Sequence, residues 1–384
     1  MEALPKNQTI GDNYIRTWAK INSPLYKKIG CSISAGSDSD NTLDICFRCD
    51  PNHKIIYFWC DTSLEYKASK DHLDFLEKKY GITIIRVKAK KSIPLSVKQY
   101  GQPFLNKMVS EYMERLQKRN FKWEDKPFFA LLDEYCKKAE GDKLTQLEER
   151  RKRTGETTIG KGKGAWCYIN NNWYNGCISA LMWWCNCKSG SDNSQFDIDH
   201  NPYLKEFIME NPPTFKIANK CCKYAKKDVA HDIAKEYGLD LMITGIRKEE
   251  KGSRATAYKS CFSSKADEAD QYRPIFWYTD QDKREYEKHF GVTHSRCYTE
   301  YALKRTGCCG CPFALGLDNE LEVAKKYEPL LYKAVNNVFK DSFAYTKAYR
   351  EFANKQRAIK RNRNEVYILD ALYEQMSIFD YIDI

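Results

Sequence analysis

Apolar and polar residues fall into blocks along this chain, and the period changes from block to block. Residues 1–28 are polar with scattered aromatics and read as helical. An apolar run at 29–34 then ends in the small, polar string SAGSDSD. Two further β-rich runs follow, KIIYFW at 54–59 and ITIIRV at 82–87. Between them, 65–80 carries apolar residues at helical spacing and stops at Gly81, a residue that closes helices in the left-handed conformation. Strand, helix and strand at this spacing make a βαβ unit, whose strands pair in parallel.

The rhythm breaks over 100–205. There 109–117 and 128–138 read as helices, 140–164 as a charged, glycine-rich exposed loop, and 175–186 as a helix rich in Trp and Cys. The rhythm resumes with a helix at 224–237, a stop at Gly238 and a strand at 239–244; 275–278 reads as a further short strand. Residues 320–384 contain no glycine and read as helices, and no internal repeat is present. The predicted fold is α/β: a Rossmann-like parallel sheet with a helical insertion and C-terminal helices. Its segments are an N-terminal extension (1–28), the first half of the sheet domain (29–99), the insertion (100–205), the second half with a cysteine group (206–319) and a helical extension (320–384).

Composition narrows the class. A chain of 384 residues suits two to three domains, and 42% hydrophobic with 30% charged residues excludes a disordered or fibrous chain. Lys and Arg number 63 against 52 Asp and Glu, a net +11 that favours anionic partners such as nucleotides or nucleic acid. The basic runs at 150–153 and 355–363 read as a solvated loop and a solvated helix face. Aromatics at 14% suit flat ligands and equally serve as large core side chains. No apolar leader opens the chain, and the longest apolar stretch, 178–185, falls short of the ~20 residues a membrane span needs, so a cytoplasmic protein with no membrane partner is expected. Sixteen cysteines without a leader point to reduced thiols for metal or redox chemistry, not to a disulfide scaffold. They cluster at Cys185/Cys187, Cys221/Cys222 and Cys308/Cys309/Cys311.

Three motifs follow strands. Ser34, Gly36, Ser37, Asp38 and Ser39 form a turn small enough for backbone N–H groups to reach a phosphate at a helix start. Asp38 reads either as a helix cap or as a Mg²⁺ ligand, and Ser39 as a donor to phosphate. Asp61 and Thr62 close the second strand. Gly245 and Arg247 follow the strand at 239–244, with Arg254 beyond; arginine forks match phosphate and sulfate, although Arg247 is also placed to pair with Glu249 or Glu250. Ligands in open α/β sheets bind at this carboxyl edge.

These residues resemble the phosphoadenosine-phosphosulfate (PAPS) reductase family within the PP-loop adenine-nucleotide enzymes, closest to its phage- and clostridial-type members. SAGSDS is similar to that family's Ser-Gly-Gly-Lys-Asp-Ser loop, FWCDTSLEY to its Phe-x-Asp-Thr-Gly segment, and GIRKEE with Arg254 to its Gly-x-Arg-x-x-Glu…Arg segment. RPIFWYTDQD resembles its Pro-Ile-x-x-Trp-Thr-x-x-Asp segment, and RTGCCGCPF its Gly-Cys-x-x-Cys ending. The order is the family's, over about 29–315 without the insertion. The resemblance implies an adenine nucleotide or sulfonucleotide (ATP, APS or PAPS) bound with Mg²⁺ at these motifs, with Asp38, Arg247 and Arg254 as catalytic residues. Two departures stand out. Ala35 and Ser37 replace the loop's second residue, Gly, and its Lys, leaving Lys54 or another cation to substitute; and no cysteine follows Cys311, where the reductases carry a Glu-Cys-Gly nucleophile.

A tandem cysteine pair, a long gap and Cys-x-x-Cys resemble the iron–sulfur branch of the family and imply a 4Fe-4S cluster, with a structural Zn²⁺ as the alternative. Adjacent side chains diverge, so the expected ligands are Cys222, Cys261, Cys308 and Cys311, with Cys221 the substitute for Cys261 and Cys309 a bystander. Three functions are open. One is a PAPS reductase-family enzyme using a thioredoxin-like reductant, with Cys31, Cys60 or Cys261 as an internal sulfur carrier. Another is an ATP-pyrophosphatase-type sulfurtransferase using a sulfur donor and acting on nucleic acid, as in DNA phosphorothioation or tRNA thiolation. The third is a non-enzymatic nucleotide and iron–sulfur redox-sensing or partner module.

Overall fold

The apolar run at 29–34 forms the central strand, β1 (Ile29–Ile33), of a six-stranded sheet. The computed structural model describes residues 4–135, 177–187, 194, 196–250, 258–264, 266 and 268–379. Along the chain α1 (Gln8–Ile21) precedes β1, and α2 (Ser37–Cys49), β2 (Ile55–Asp61), α3 (Lys67–Tyr80), β3 (Ile84–Lys88) and α4 (Ile93–Tyr100) follow it. Next come α5 (Lys107–Gln117), α6 (Phe128–Tyr135), α7 (Cys177–Trp184), α8 (Leu204–Glu210), α9 (Lys220–Cys222), a π-helical stretch (Lys223–Lys227) and α10 (Asp228–Glu236). The remainder is β4 (Leu241–Thr244), β5 (Phe262–Ser263), β6 (Asp270–Tyr272), α11 (Asp280–Phe290), α12 (Arg296–Thr299), α13 (Leu317–Tyr327), α14 (Pro329–Val338) and α15 (Lys340–Phe379).

The strand order is β3-β2-β1-β4-β6-β5, parallel except for the edge pair β5–β6. Alternate residues face opposite sides of the sheet. Ile29, Cys31, Ile33, Tyr57, Trp59, Leu241 and Ile243 join a core with Leu43 and Cys46 of α2 and Leu73 and Leu76 of α3. Phe58 and Met242 face the other way, against Val229 and Ile233 of α10. The helix stops are as expected: Gly81 and Gly238 adopt φ of 64° and 60°. The chain turns outward from β1 to β2 on one side and from β4 to β6 on the other, so the order reverses between β1 and β4. Such a reversal opens a crevice at the carboxyl ends of the two strands.

Two compact units divide the chain: residues 1–99 with 220–338, and 100–219 with 339–384. The insertion therefore extends past 205 and recruits the last helix. In the second unit Trp183 and Trp184 of α7 are sealed among Tyr112, Phe121, Phe128 and Leu181, and Tyr349 and Ala353 of α15 join this core. Cys177 and Cys187 are buried there too, in packing roles. The basic run 355–363 lies on α15 and is exposed at every position but Gln356. The run at 150–153 and the loop at 140–164 lie outside the described residues. Among the described residues, no helix is long and apolar enough to cross a membrane.

One strand expectation fails. Residues 275–278 form turns, with Phe276 N–H on Arg273 O at 3.2 Å and Tyr278 N–H on Ile275 O at 3.0 Å. Pro274, with no N–H and a fixed φ, suits a turn better than a ladder. The apolar side chains here face inward (Ile275 and Phe276 are fully buried), which mimics a strand in sequence. The true strands here, β5 at the sheet edge and β6 beside it, are two and three residues long and too polar to announce themselves.

Candidate functional site

The turn after β1 is held in shape by its own small residues. Ser34 N–H donates to Ser39 Oγ at 2.8 Å, tying the turn to the start of α2. Ala35 adopts φ of 53°, a conformation that costs a non-glycine residue roughly 1 kcal/mol. Such strain concentrates at functional sites. Gly36 is the N-cap of α2 and offers no side chain to the N–H groups of the helix's first turn. A Cβ there would lie 3.2 Å from Ser34 Oγ and Thr306 Oγ1. Ser37 N–H donates to the Tyr298 hydroxyl at 3.1 Å, and that hydroxyl lies 3.0 Å from Thr306 Oγ1.

The turn after β4 presses directly on this one. A Cβ on Gly245 would stand 2.8 Å from Thr42 Oγ1 and 2.9 Å from the Asp38 carbonyl oxygen. Only glycine lets β4 end this close to α2. Gly245→Ala is expected to cost about 1–3 kcal/mol by overpacking and to spread the two turns apart. Thermal unfolding with and without nucleotide measures both effects, and an unchanged melting temperature would contradict the close approach.

Arg247 bridges the crevice. Its Nε lies 2.9 Å from Asp38 Oδ1 and a terminal nitrogen 2.8 Å from Asp280 Oδ1. Burial opposes its charge, yet the two carboxylates hold its pKa above the ordinary value. Asp38 is thus neither the helix cap, which is Gly36, nor without cations of its own. Lys283 of α11 also reaches Asp38 Oδ1, at 2.9 Å, and Ser37 Oγ, at 2.6 Å. Glu250 joins the group: burial and the charge of Asp38 raise its pKa, against Arg305 and Arg247. Lys248 N–H donates to Phe276 O at 2.9 Å, and a recess lined by Lys248, Glu249, Trp277 and Tyr278 opens beside it. Arg254 lies outside the described residues. Lys54 stands at the amino end of β2, the wrong end of the sheet to substitute for a loop lysine.

Behind the turn, α2 rests on a buried charge relay. Asp40 lies 3.1 Å from His72 Nε2 and 2.8 Å from His294 Nδ1, and His294 Nε2 lies 2.9 Å from Glu287 Oε1. Burial disfavours the charged imidazole, but the two carboxylates outweigh it and push the His294 pKa up to about 9. One turn along, Asp44 accepts from Tyr80 and Tyr286, each at 2.7 Å, and from Arg48 Nε at 2.8 Å.

The segment after β2 leads elsewhere. Asp61 accepts from Ser63 N–H at 2.8 Å, and Thr62, fully buried, donates to Glu65 Oε1 at 2.8 Å. Glu65 Oε1 lies 3.8 Å from Lys226 Nζ and accepts a long contact from Cys308 Sγ at 3.9 Å. Thr62 therefore turns toward a thiol group. Burial pushes the Cys308 thiol up to about 11 against the pull of Lys226. Burial and the charge of Cys308 push Cys311 up to about 12, with Cys222 adding to the shift. Cys221 is raised most, through Cys222, burial, Cys311 and Cys308. These four thiols are thus close enough to oppose one another's ionisation. Lys226, four residues beyond Cys222 across the π-helical stretch, has its pKa raised chiefly by Cys308.

Cys261 is not in this group. It immediately precedes β5, four strand positions from β2, roughly 19 Å across the sheet at ~4.8 Å per strand. Its neighbours are the β6 residue Tyr272 and the core beneath. Cys221 stands in the group instead, beside Cys222 and within the influence of Cys311 and Cys308. Cys309 is a bystander: it is fully buried, its N–H is on Leu64 O at 2.8 Å, and its thiol is paired with Tyr66. Among the described residues no three His, Cys, Asp or Glu are set as ligands of one metal ion. The donor chemistry nonetheless fits a 4Fe-4S cluster: four thiols, no histidine, and mutual repulsion of the thiolates that cationic iron would offset.

Sequence reasoning missed Lys283, Tyr298, Thr306, Lys226 and Glu65, and read Glu250 only as a motif residue and a pairing candidate for Arg247. Lys226 had a signal, one helical turn beyond a candidate ligand. Lys283 had none, since an exposed-looking lysine in a charged helix is ordinary.

Two solved structures with a similar chain course are a PAPS reductase from Candida auris, crystallised as a phosphate complex, and a U34-tRNA thiolase from Methanococcus maripaludis with its 4Fe-4S cluster. The first has a TM-score of 0.35 and 12% identity, covering 80% of this chain and 96% of that one. The second has a TM-score of 0.35 and 10% identity, covering 91% of this chain and 81% of that one. No protein-family model and no curated protein sequence matches the chain.

Proposed function

We propose that this chain is a PP-loop enzyme of the PAPS reductase type, which binds an adenine nucleotide or sulfonucleotide by its phosphates in the crevice between β1 and β4. The observation that carries this reading is the junction at Asp38. There the turns after β1 and β4 meet at the order reversal of the sheet, and two cations, Arg247 and Lys283, converge beside the first turn of α2. Anionic phosphate is the ligand chemistry that helix N–H groups and arginine forks favour together. Cys221, Cys222, Cys308 and Cys311 would hold a 4Fe-4S cluster. Such a cluster, when bound, supplies a redox-active, sulfur-binding centre. Lys226 and Glu65 set the charge around Cys308, and Thr62 fixes Glu65.

A specific observation favours a second reaction over sulfonucleotide reduction. A reductase needs a thiolate that attacks the sulfonate sulfur, and a productive thiolate must be accessible with a lowered pKa. Of the internal candidates, Cys31 is fully buried, Cys60 is pushed up to about 11 by burial, and Cys261 is at the far sheet edge. ATP-dependent sulfur transfer needs no such thiolate at the nucleotide: an acceptor oxygen attacks the α-phosphate, pyrophosphate leaves, and sulfur then displaces AMP.

Binding is tested by thermal unfolding with ATP, APS and PAPS. A ligand at a hundredfold excess over Kd is expected to add about 2.7 kcal/mol of stability. The double variant Asp38→Ala/Arg247→Ala, which removes both partners of the buried pair, should lose that gain. Wild-type-like binding by the double variant would move the site elsewhere. Labelled substrates then separate the reactions: sulfite release with thioredoxin marks a reductase, and nucleic-acid-dependent AMP or pyrophosphate a transferase.

A further inference from the structure

The turn Ser34–Ser39 contains no cation of its own, and the arginine beside it is already committed. Arg247 is 6% exposed and held by two carboxylates, Asp38 and Asp280. A polyphosphate entering the crevice would meet hydroxyls, N–H groups and a neutralised arginine. Lys283 changes that balance. It stands in the first turn of α11, on a helix whose start is fixed by a capping box between Thr279 and Asp282. Its ammonium is brought to the turn itself, 2.6 Å from the hydroxyl of Ser37 and 2.9 Å from Asp38 Oδ1.

We infer that Lys283 supplies the phosphate-binding ammonium of this site, delivered from α11 to a loop that lacks one. The inference rests on the nucleotide reading above and deepens it. Asp38 Oδ1 is shared by Arg247 Nε and Lys283 Nζ, and Arg247 has a second carboxylate in Asp280. The next carboxylate, Glu287, is 3.7 Å from Lys283 and is already taken by His294 at 2.9 Å and Asn41 at 2.7 Å. An ammonium has three donors, and two of them are used at hydrogen-bond distance here. The ammonium sits at the side chain of Ser37, the first residue of α2, with one donor beyond these two. Position 37 and the Lys283 ammonium thus converge on one point in space, from two different helices.

The test measures equilibrium binding of ATP, ADP, AMP, adenosine and pyrophosphate to the wild type, Lys283→Met, Lys283→Arg and the relocated-charge variant Ser37→Lys/Lys283→Met. Lys283→Met is expected to weaken ATP and pyrophosphate by about 10- to 100-fold, the size of one charge-assisted hydrogen bond. The loss should shrink from ATP to AMP and vanish for adenosine. Lys283→Arg should keep most of the affinity, and Ser37→Lys/Lys283→Met should regain most of it by placing an ammonium at the same point. A purely structural lysine would not give recovery from position 37. ATP binding by Lys283→Met within twofold of wild type, or equal losses for ATP and adenosine, would overturn the inference while leaving the nucleotide site standing. A wild type that binds none of the five ligands would remove the site and the inference with it.

Discussion

Serine at Cys221, Cys222, Cys308 or Cys311 is expected to strip the protein of iron, while serine at Cys261 or Cys309 leaves it loaded. Protein made without oxygen should be brown and carry about four irons and four sulfides per chain. The distinction is geometric. The first four thiols act on one another's ionisation, whereas Cys261 lies at the β5 edge and Cys309 faces Tyr66 in the core. Burial keeps the Cys308 thiol at about 11 and Cys311 at about 12, so both are protonated in the metal-free protein near neutral pH. Loading must therefore expel protons, and apparent affinity should rise with pH. Serine is a poor substitute because its hydroxyl neither ionises in this range nor offers a soft sulfur. Iron and sulfide analysis of the six variants checks the assignment. Stoichiometric zinc without sulfide would replace the cluster by a zinc site. Retention of iron in Cys221→Ser with loss in Cys261→Ser would return the ligand role to the edge cysteine.

Stability should fall by about 2 kcal/mol between pH 6.5 and pH 9, and His294→Gln should flatten that fall. His294 is flanked by Asp40 of α2 and Glu287 of α11, with Lys283 beyond Glu287, His72 beyond Asp40 and Tyr298 against the ring. The imidazole holds its proton to about 9 in the fold, against an ordinary value of 6.5. Below pH 6.5 folded and unfolded chains both carry the proton, and the contribution is fully present. Between 6.5 and 9 the unfolded chain releases it first, so stability declines; above 9 both forms are neutral and the contribution is gone. The full shift would correspond to about 3 kcal/mol, reduced because the ring is partly reached by solvent. Denaturant unfolding of wild type and His294→Gln across this range measures it. Equal pH slopes in the two proteins would mean that the relay does not hold a proton in the fold.

The sheet was legible because its strands are short apolar runs bounded by glycine stops and small polar turns, signals carried by neighbouring residues. The turn at Ser34–Ser39, the glycine at 245 and the arginine at 247 stood out for the same reason: each belongs to a local string following a strand. Reading failed where burial imitates a strand, as at Ile275 and Phe276, and where a strand is too short and polar to show, as at β5 and β6.

Local pattern thus determined by itself an α/β sheet, its carboxyl-edge motifs and a cysteine-rich second half, since backbone propensity and side-chain alternation act over a few residues. Tertiary structure alone decided which thiols meet, because sequence spacing says nothing of the four strand positions that separate Cys261 from the group around Cys308. It alone brought Lys283 to Ser37 and His294 to Asp40, contacts spanning 246 and 254 residues. Charge acts through space across a few ångströms, and only the folded chain sets which charges come that near.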